Sequence, residues 1–88
     1  NFNEFEYSGN RFEATFNNDK NGYDIIFHED YFHHLDKYAL QIFLSVDEKK
    51  DRIFLHKDDK SEKMTSEQKS LIDDFINQVN KLKEHYAQ

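Results

Sequence analysis

Several residue types are missing or scarce in this 88-residue chain, and each absence excludes a class of structure or chemistry. Without cysteine, the chain forms neither disulfide bonds nor thiolate metal sites. Its two glycines, Gly9 and Gly22, both fall in predicted turns, which leaves no glycine-rich loop to cradle a phosphate. No apolar run approaches the roughly 18 residues that a membrane-spanning helix needs, so we expect no membrane contact.

Arginine is also scarce, and the charge balance is acidic. The chain has 18 Asp and Glu residues against 12 Lys and Arg residues, and only Arg11 and Arg52 are arginines. A domain that binds duplex DNA usually presents a basic face to neutralise phosphates, so this balance argues against nucleic acid as the partner. It is compatible with a solvated acidic surface or with a cationic protein partner.

The composition also bears on the origin of the chain. Phe, Tyr, Met, Ile, Asn and Lys total 39 residues, whereas Gly, Ala, Arg and Pro total 7, a bias that indicates an AT-rich bacterial or phage genome. The first residue is Asn1 rather than an initiator methionine. We therefore expect a mature secreted chain, a fragment or a trimmed chain, and a location that is either cytoplasmic or outside the cell after processing.

Aromatic residues supply much of the hydrophobic surface, with nine Phe and five Tyr. Each buried aromatic side chain removes about 150–250 Å² from water. This content predicts a single folded domain over residues 1–88, even though 34% of the residues are charged.

Alternating aromatic residues predict an antiparallel meander in the first third of the chain. The strands are expected at 2–7, 11–16 and 23–28. In the loop 8–10 we expect Gly9 to adopt a positive φ, and Asn21-Gly22 is a strong signal for a second hairpin turn.

The middle of the chain is less regular. Residues 30–38 are predicted to form a short helix, with Asp30 as its N-cap. The apolar residues of 39–46 fit either a continuation of that helix or a strand. A polar turn and the strand-like residues 52–57 follow, and they favour a hairpin of 40–46 with 52–57.

The residue pattern in the last third of the chain predicts one long amphipathic helix. Thr65 and Gln68 have the spacing of a capping box, and the apolar residues that follow recur along one side. Asn80 is among the residues assigned to the solvent side. The predicted fold is therefore α+β, with about five antiparallel strands in the order β-β-β-α-β-β-α and the C-terminal helix packed on one face of the sheet.

Alternation divides the side chains of the sheet between two faces. The face expected beneath the helix carries Phe5, Tyr7, Phe12, Phe16, Tyr23, Ile25, Phe27, Leu40, Ile42, Leu44, Ile53 and Leu55. The opposite face is expected to carry Glu4, Glu6, Glu13, Asp24, Ile26, Phe43 and Phe54. Three apolar residues bordered by acids favour a contact surface. Two alternatives stay open: the short helix covers these residues, or a shift of one residue in register exchanges the faces.

The histidines at 28, 33 and 34 do not have the spacing of a metal site. A metalloprotease helix places two histidines at i and i+4, whereas His33 and His34 are adjacent and diverge on a helix. Asp30 with His34, and His28 with His56, are pairs that fall short of the three or four ligands of zinc. We expect no metal and no cofactor.

Residues for catalysis are also lacking. No cysteine nucleophile exists, and no serine lies in a nucleophile elbow. The acid pairs Asp58-Asp59 and Asp73-Asp74 consist of adjacent residues, which do not converge on one substrate atom. We therefore expect a protein that is not an enzyme.

The remaining interpretation is a non-catalytic protein-binding module: an inhibitor, an immunity-type protein or a regulatory domain. Its partner is expected to be another protein, with a second copy of the chain as an alternative. A different hypothesis is single-stranded nucleic-acid binding, in which Phe43, Phe54, Arg52 and His56 form a stacking platform. A further hypothesis is a nucleic-acid mimic whose acids occupy a DNA-binding protein.

Overall fold

Five strands form one antiparallel sheet, and a long C-terminal helix lies against one face of it. The structure, a computed structural model, describes residues 2–28 and 38–86. The strands are β1 (Tyr7–Ser8), β2 (Phe12–Asn17), β3 (Gly22–His28), β4 (Tyr38–Asp47) and β5 (Arg52–Leu55). The helix α1 covers Ser66–Tyr86, and short 3-10 helices occupy Phe2–Glu4 and Ser61–Lys63. Each strand pairs with the next in the chain, which confirms the predicted α+β class.

The ambiguous segment after residue 38 is a strand. β4 pairs with β3 on one side and with β5 on the other, so the predicted hairpin of 40–46 with 52–57 is confirmed. β5 ends at Leu55 rather than at residue 57, although the His56 N–H still donates to the Phe43 carbonyl oxygen at 3.1 Å. Of the helix predicted over 30–38, positions 30–37 lie outside the described residues, and Tyr38 belongs to β4.

The hydrophobic core lies between the inner face of the sheet and α1. Tyr23, Ile25 and Leu44 are completely buried, and Phe75 from the helix meets Tyr23 edge-on with ring centroids 5.5 Å apart. The inner face predicted from alternation is confirmed across β2–β5, because neighbouring strands pair in the register that aligns their apolar positions. Tyr7 is the exception: its ring touches this face but stays 44% exposed.

The predicted first strand over 2–7 is wrong for most of its length. Phe2–Glu4 form a 3-10 helix, and β1 contains only Tyr7–Ser8. Phe2 is 5% exposed and belongs to the core, and its carbonyl oxygen accepts a hydrogen bond from the hydroxyl of Tyr23. Burying the Phe2 ring bends the chain out of the sheet, and the loss of strand pairing is offset by this packing.

Positive φ angles occur at asparagine and aspartate rather than at glycine. Asn21 has φ 54° and Asp51 has φ 55°, and no glycine has a positive φ, so the prediction for Gly9 is wrong. Asn and Asp tolerate this region better than other side chains. Gly22 is required for space instead, because a Cβ atom there would overlap the Leu44 carbonyl oxygen and the tip of the Phe43 ring.

The start of α1 has the predicted capping box. The Gln68 N–H donates to Thr65 Oγ1 at 3.1 Å, and the Thr65 N–H donates to Gln68 Oε1 at 2.9 Å. These two bonds satisfy donors that would otherwise be unpaired at the helix start, which explains why α1 begins at Ser66.

The placement of Asn80 on the solvent side of α1 is wrong. Asn80 is 4% exposed and faces β5, where its Oδ1 accepts from the Ile53 N–H at 3.0 Å. Its Nδ2 donates to the Ile53 carbonyl oxygen at 3.3 Å. α1 packs against β5 at this position, a tertiary contact that helical periodicity alone does not identify.

Candidate interaction surface

The face of the sheet opposite α1 carries a mixture of apolar and polar side chains. Strand register places Glu13 opposite Ile26, Asp24 opposite Phe43, and Ser45 opposite Phe54. We call this surface the outer face; it comprises Glu13, Thr15, Asp24, Ile26, Gln41, Phe43, Ser45, Phe54 and His56. Its composition follows from period-two alternation, because every second residue of β2–β5 faces away from the helix.

An aromatic cluster of Phe43, Phe54 and His56 occupies the β4–β5 side of the outer face. The rings of Phe43 and His56 lie 6.2 Å apart between centroids in an edge-on arrangement, and His56 Nδ1 is 3.2 Å from Ser45 Oγ. Lys20 Nζ lies 5.7 Å from the centroid of the Phe43 ring. Phe54 is 47% exposed, the highest value among the exposed large hydrophobic residues of the described chain. The cluster therefore consists of one exposed ring, Phe54, beside the Phe43 and His56 rings, which have contacts of their own.

A groove runs beside Phe54 between the β2–β3 turn and the β4–β5 turn. It has a volume of about 500 Å³ and is lined in part by Lys20, Asn21, Glu48 and Phe54. The two turns are joined, because Asn21 Nδ2 donates to Glu48 Oε1 at 2.9 Å. The Val46 N–H also donates to the Asn21 carbonyl oxygen at 3.1 Å. These bonds give the groove beside Phe54 fixed walls on the turn side.

Five of the seven residues predicted for a partner contact lie together on the outer face. They are Ile26, Phe43, Phe54, Glu13 and Asp24. Ile26 and Phe43 are only partly exposed, so the apolar area is smaller than three fully exposed residues would give. Asp24 Oδ2 accepts from Asn17 Nδ2 at 3.0 Å, which holds this carboxylate at the edge of the cluster.

The predicted position of Glu4 and Glu6 on the outer face requires correction. Glu4 lies in the N-terminal 3-10 helix, and both acids line a depression beside α1. The Glu6 Oε2 accepts from the Phe16 N–H at 2.8 Å. Because β1 begins only at Tyr7, Phe16 has no paired neighbour on this side, and the Glu6 carboxylate accepts its N–H instead. A contact of Glu4 or Glu6 with a partner stays a prediction.

A second exposed apolar region was missed by the sequence analysis. Tyr7 is 44% exposed and Leu82 is 43% exposed, and both line the same depression of about 230 Å³. We call it the acidic groove; it is lined by Glu4, Phe5, Glu6, Tyr7, Phe75, Gln78, Val79 and Leu82. Both exposed residues have core-type spacing in the sequence, and no local signal distinguishes them from buried neighbours.

Tyr23 is the one described group whose pKa departs clearly from its ordinary value of 10.0. Burial raises the pKa of Tyr23, and the negative charge of Glu6 raises it further. A hydrogen bond with the backbone of Phe5 acts in the opposite direction. The hydroxyl therefore stays protonated at neutral pH and acts as a structural hydrogen-bond donor.

The described residues contain neither a metal cluster nor a membrane-spanning helix. Across residues 2–28 and 38–86, no three His, Asp or Glu side chains come close enough to hold a metal ion. His33 and His34 lie outside this range. α1 and the other helices of the described chain lack the combination of length and apolar content needed to cross a membrane. No protein-family model, curated protein or solved structure matches this chain.

Proposed function

We propose that this domain is a non-catalytic protein-binding module that contacts its partner through the outer face of its sheet. An inhibitor, an immunity-type protein and a regulatory domain all belong to this class. The observation that carries the proposal is the 47% exposure of Phe54 beside Phe43 and His56, on a face that α1 does not cover. Aromatic residues are enriched in protein interfaces, where a few residues carry most of the binding energy.

The surroundings of Phe54 support this role. β4 and β5 hold Phe54 on a paired backbone, so little backbone conformational entropy is lost when a partner covers its ring. Polar and charged groups of Ser45, Asp24 and Lys20 surround the cluster, as in the rim of an interface. The adjacent groove of about 500 Å³ provides space for a side chain of the partner.

Affinity capture from the native host, with Phe54→Ser compared against wild type, tests this proposal. Thr15→Ser serves as the matched control, since Thr15 is exposed on the same face but lies outside the aromatic cluster. We expect one protein to be retained in similar amounts by wild type and Thr15→Ser, and at least about tenfold less by Phe54→Ser. Equal retention by all three proteins would contradict the proposed contact surface.

Two other hypotheses predict different outcomes. A single-stranded nucleic-acid module would bind a labelled oligothymidylate in low salt and lose that binding with Phe54→Ser. Against this hypothesis, the guanidinium of Arg52 is 2.9 Å from the Glu84 carboxylate and is already paired. A homodimer would sediment at twice the monomer mass and dissociate with Phe54→Ser. We expect no oligonucleotide binding and a monomer.

A further inference from the structure

The acidic groove lies on a different side of the molecule from the aromatic cluster. Its apolar lining consists of Phe5 and Tyr7 from the N-terminal segment and Phe75, Val79 and Leu82 from α1. The Tyr7 ring packs near Phe12 and Phe75, with ring centroids at 4.7 and 6.4 Å. Tyr7 nevertheless stays 44% exposed. Two of the three exposed large hydrophobic residues in the described chain thus border one depression.

The charges at the groove have one sign. Glu4 and Glu6 line it, and no Lys or Arg is among the described residues that do so. The Phe16 N–H holds the Glu6 carboxylate in place, so its negative charge has a fixed position at the rim. Arg11 is engaged elsewhere, in an ion pair with Glu67. An apolar lining beside two carboxylates, of which that of Glu6 is held in place, complements a ligand that joins an apolar group to positive charge.

We propose that the acidic groove binds a cationic amphipathic segment of a partner protein. An apolar side chain of the segment would occupy the space between Tyr7 and Leu82, and its Lys or Arg residues would lie against Glu4 and Glu6. The volume of about 230 Å³ suits one such anchor side chain. It is smaller than the roughly 300–1,000 Å³ of typical small-molecule sites.

Two other occupants fit the groove less well. A second copy placed symmetrically would bring its own Glu4 and Glu6 against the same acids, and like charges in an interface oppose association. Strand addition is also disfavoured, because β1 offers only two residues for pairing. A helical segment with one apolar face bordered by basic residues meets neither obstacle.

The probe is a fluorescein-labelled Leu/Lys peptide with one apolar helical face, followed by fluorescence anisotropy. The matched control peptide carries Glu in place of Lys. We expect the Lys peptide to bind and its affinity to fall about fivefold on raising the salt to about 0.3 M, because added ions screen exposed carboxylates. The Glu peptide is expected not to bind.

Three variants separate charge from apolar contact. Replacing Glu4 and Glu6 together by Gln removes both charges, while the amide oxygen at position 6 still accepts from the Phe16 N–H; we expect about fivefold weaker binding. Leu82→Gln removes an exposed apolar side chain and should weaken binding about tenfold. Phe54→Ser, on the outer face, should leave peptide affinity unchanged. Circular dichroism melts confirm that each variant is folded.

Several results would overturn the inference. One is that the Lys peptide does not bind at concentrations up to about 1 mM. Its dissociation constant would then be too high for a specific contact. Another is a loss of affinity in the double Gln variant with none in Leu82→Gln, which indicates charge attraction without a groove. A third is self-association through Leu82. The proposed outer-face contact depends on Phe54, which does not line the acidic groove. If that contact were disproved, the peptide measurements on the acidic groove would still stand.

Discussion

The side-chain amide of Asn80 forms hydrogen bonds with both the N–H and the carbonyl oxygen of Ile53. Ile53 lies in β5, the edge strand of the sheet, and β5 pairs with β4 through its other side. Edge strands present unpaired backbone groups that invite pairing with other chains. Asn80 therefore supplies from α1 the donor and the acceptor that a sixth strand would have supplied at this position.

Asn80→Ala is expected to destabilise the protein by about 2–3 kcal/mol, because two buried backbone groups of Ile53 lose their partners. Urea denaturation followed by circular dichroism measures this change. Asn77→Ala is the matched control: Asn77 is exposed on the same helix, and alanine is the better helix former. A loss of similar size in both variants would show that the Asn80 bonds contribute nothing specific.

Tyr23→Phe should cost about 0.5–1.5 kcal/mol, since the carbonyl oxygen of Phe2 loses one of its two donors, the Tyr23 hydroxyl, and keeps the Phe5 N–H. Loss of this bond should loosen the 3-10 helix Phe2–Glu4 before it affects the strands. Amide hydrogen exchange at Phe5, whose N–H donates to the Phe2 carbonyl oxygen at 3.0 Å, reports on that helix. Unchanged exchange at Phe5 would contradict the role assigned to the hydroxyl.

Tyr23 also makes the free energy of unfolding depend on pH in the alkaline range. The pKa of Tyr23 is higher in the folded state than its ordinary value of 10.0, so the folded protein binds this proton more tightly. The stabilisation is fully present below pH 10.0 and is lost as pH rises above it. In urea denaturation between about pH 9 and 11, wild type should lose more stability than Tyr23→Phe. If the free energies of unfolding of wild type and Tyr23→Phe changed with pH in parallel, Tyr23 would not be the source of the pH dependence.

Glu6→Ala is expected to cost about 1 kcal/mol, because the Phe16 N–H then loses its carboxylate acceptor just before the start of β1. Glu6→Gln is the matched control, since its amide oxygen can accept the same bond. We expect amide exchange at Phe16 to become faster in the Ala variant and to stay near the wild-type rate in the Gln variant. Equal acceleration in both would assign the effect to charge instead of the hydrogen bond.

Gly22→Ala is expected to destabilise the sheet by more than about 2 kcal/mol, because the new methyl group meets the backbone of Leu44 and β3 and β4 must move apart. Gly9→Ala is the comparison, because the methyl group there meets the Tyr7 side chain, which is exposed enough to rotate away. Thermal unfolding of the two variants measures the difference. A larger loss for Gly9→Ala would contradict this account.

Local patterns predicted most of the sheet and the start of the helix correctly. Alternation in β2–β5 determines which side chains share a face, because successive residues of a strand point in opposite directions whatever surrounds them. The capping box of Thr65 and Gln68 is likewise local, since its partners are three residues apart. Such features depend only on residues that are close together in the chain, so the sequence is enough to predict them.

The sequence by itself thus determined the α+β class, the faces of β2–β5 and the helix cap. Only the tertiary structure decided the features at the margins of the sheet. The burial of Phe2, the contact of Asn80 with Ile53 and the position of Glu4 and Glu6 beside α1 each depend on where the helix crosses the sheet. That crossing is set by the combined packing of side chains distant in sequence, which no local period encodes.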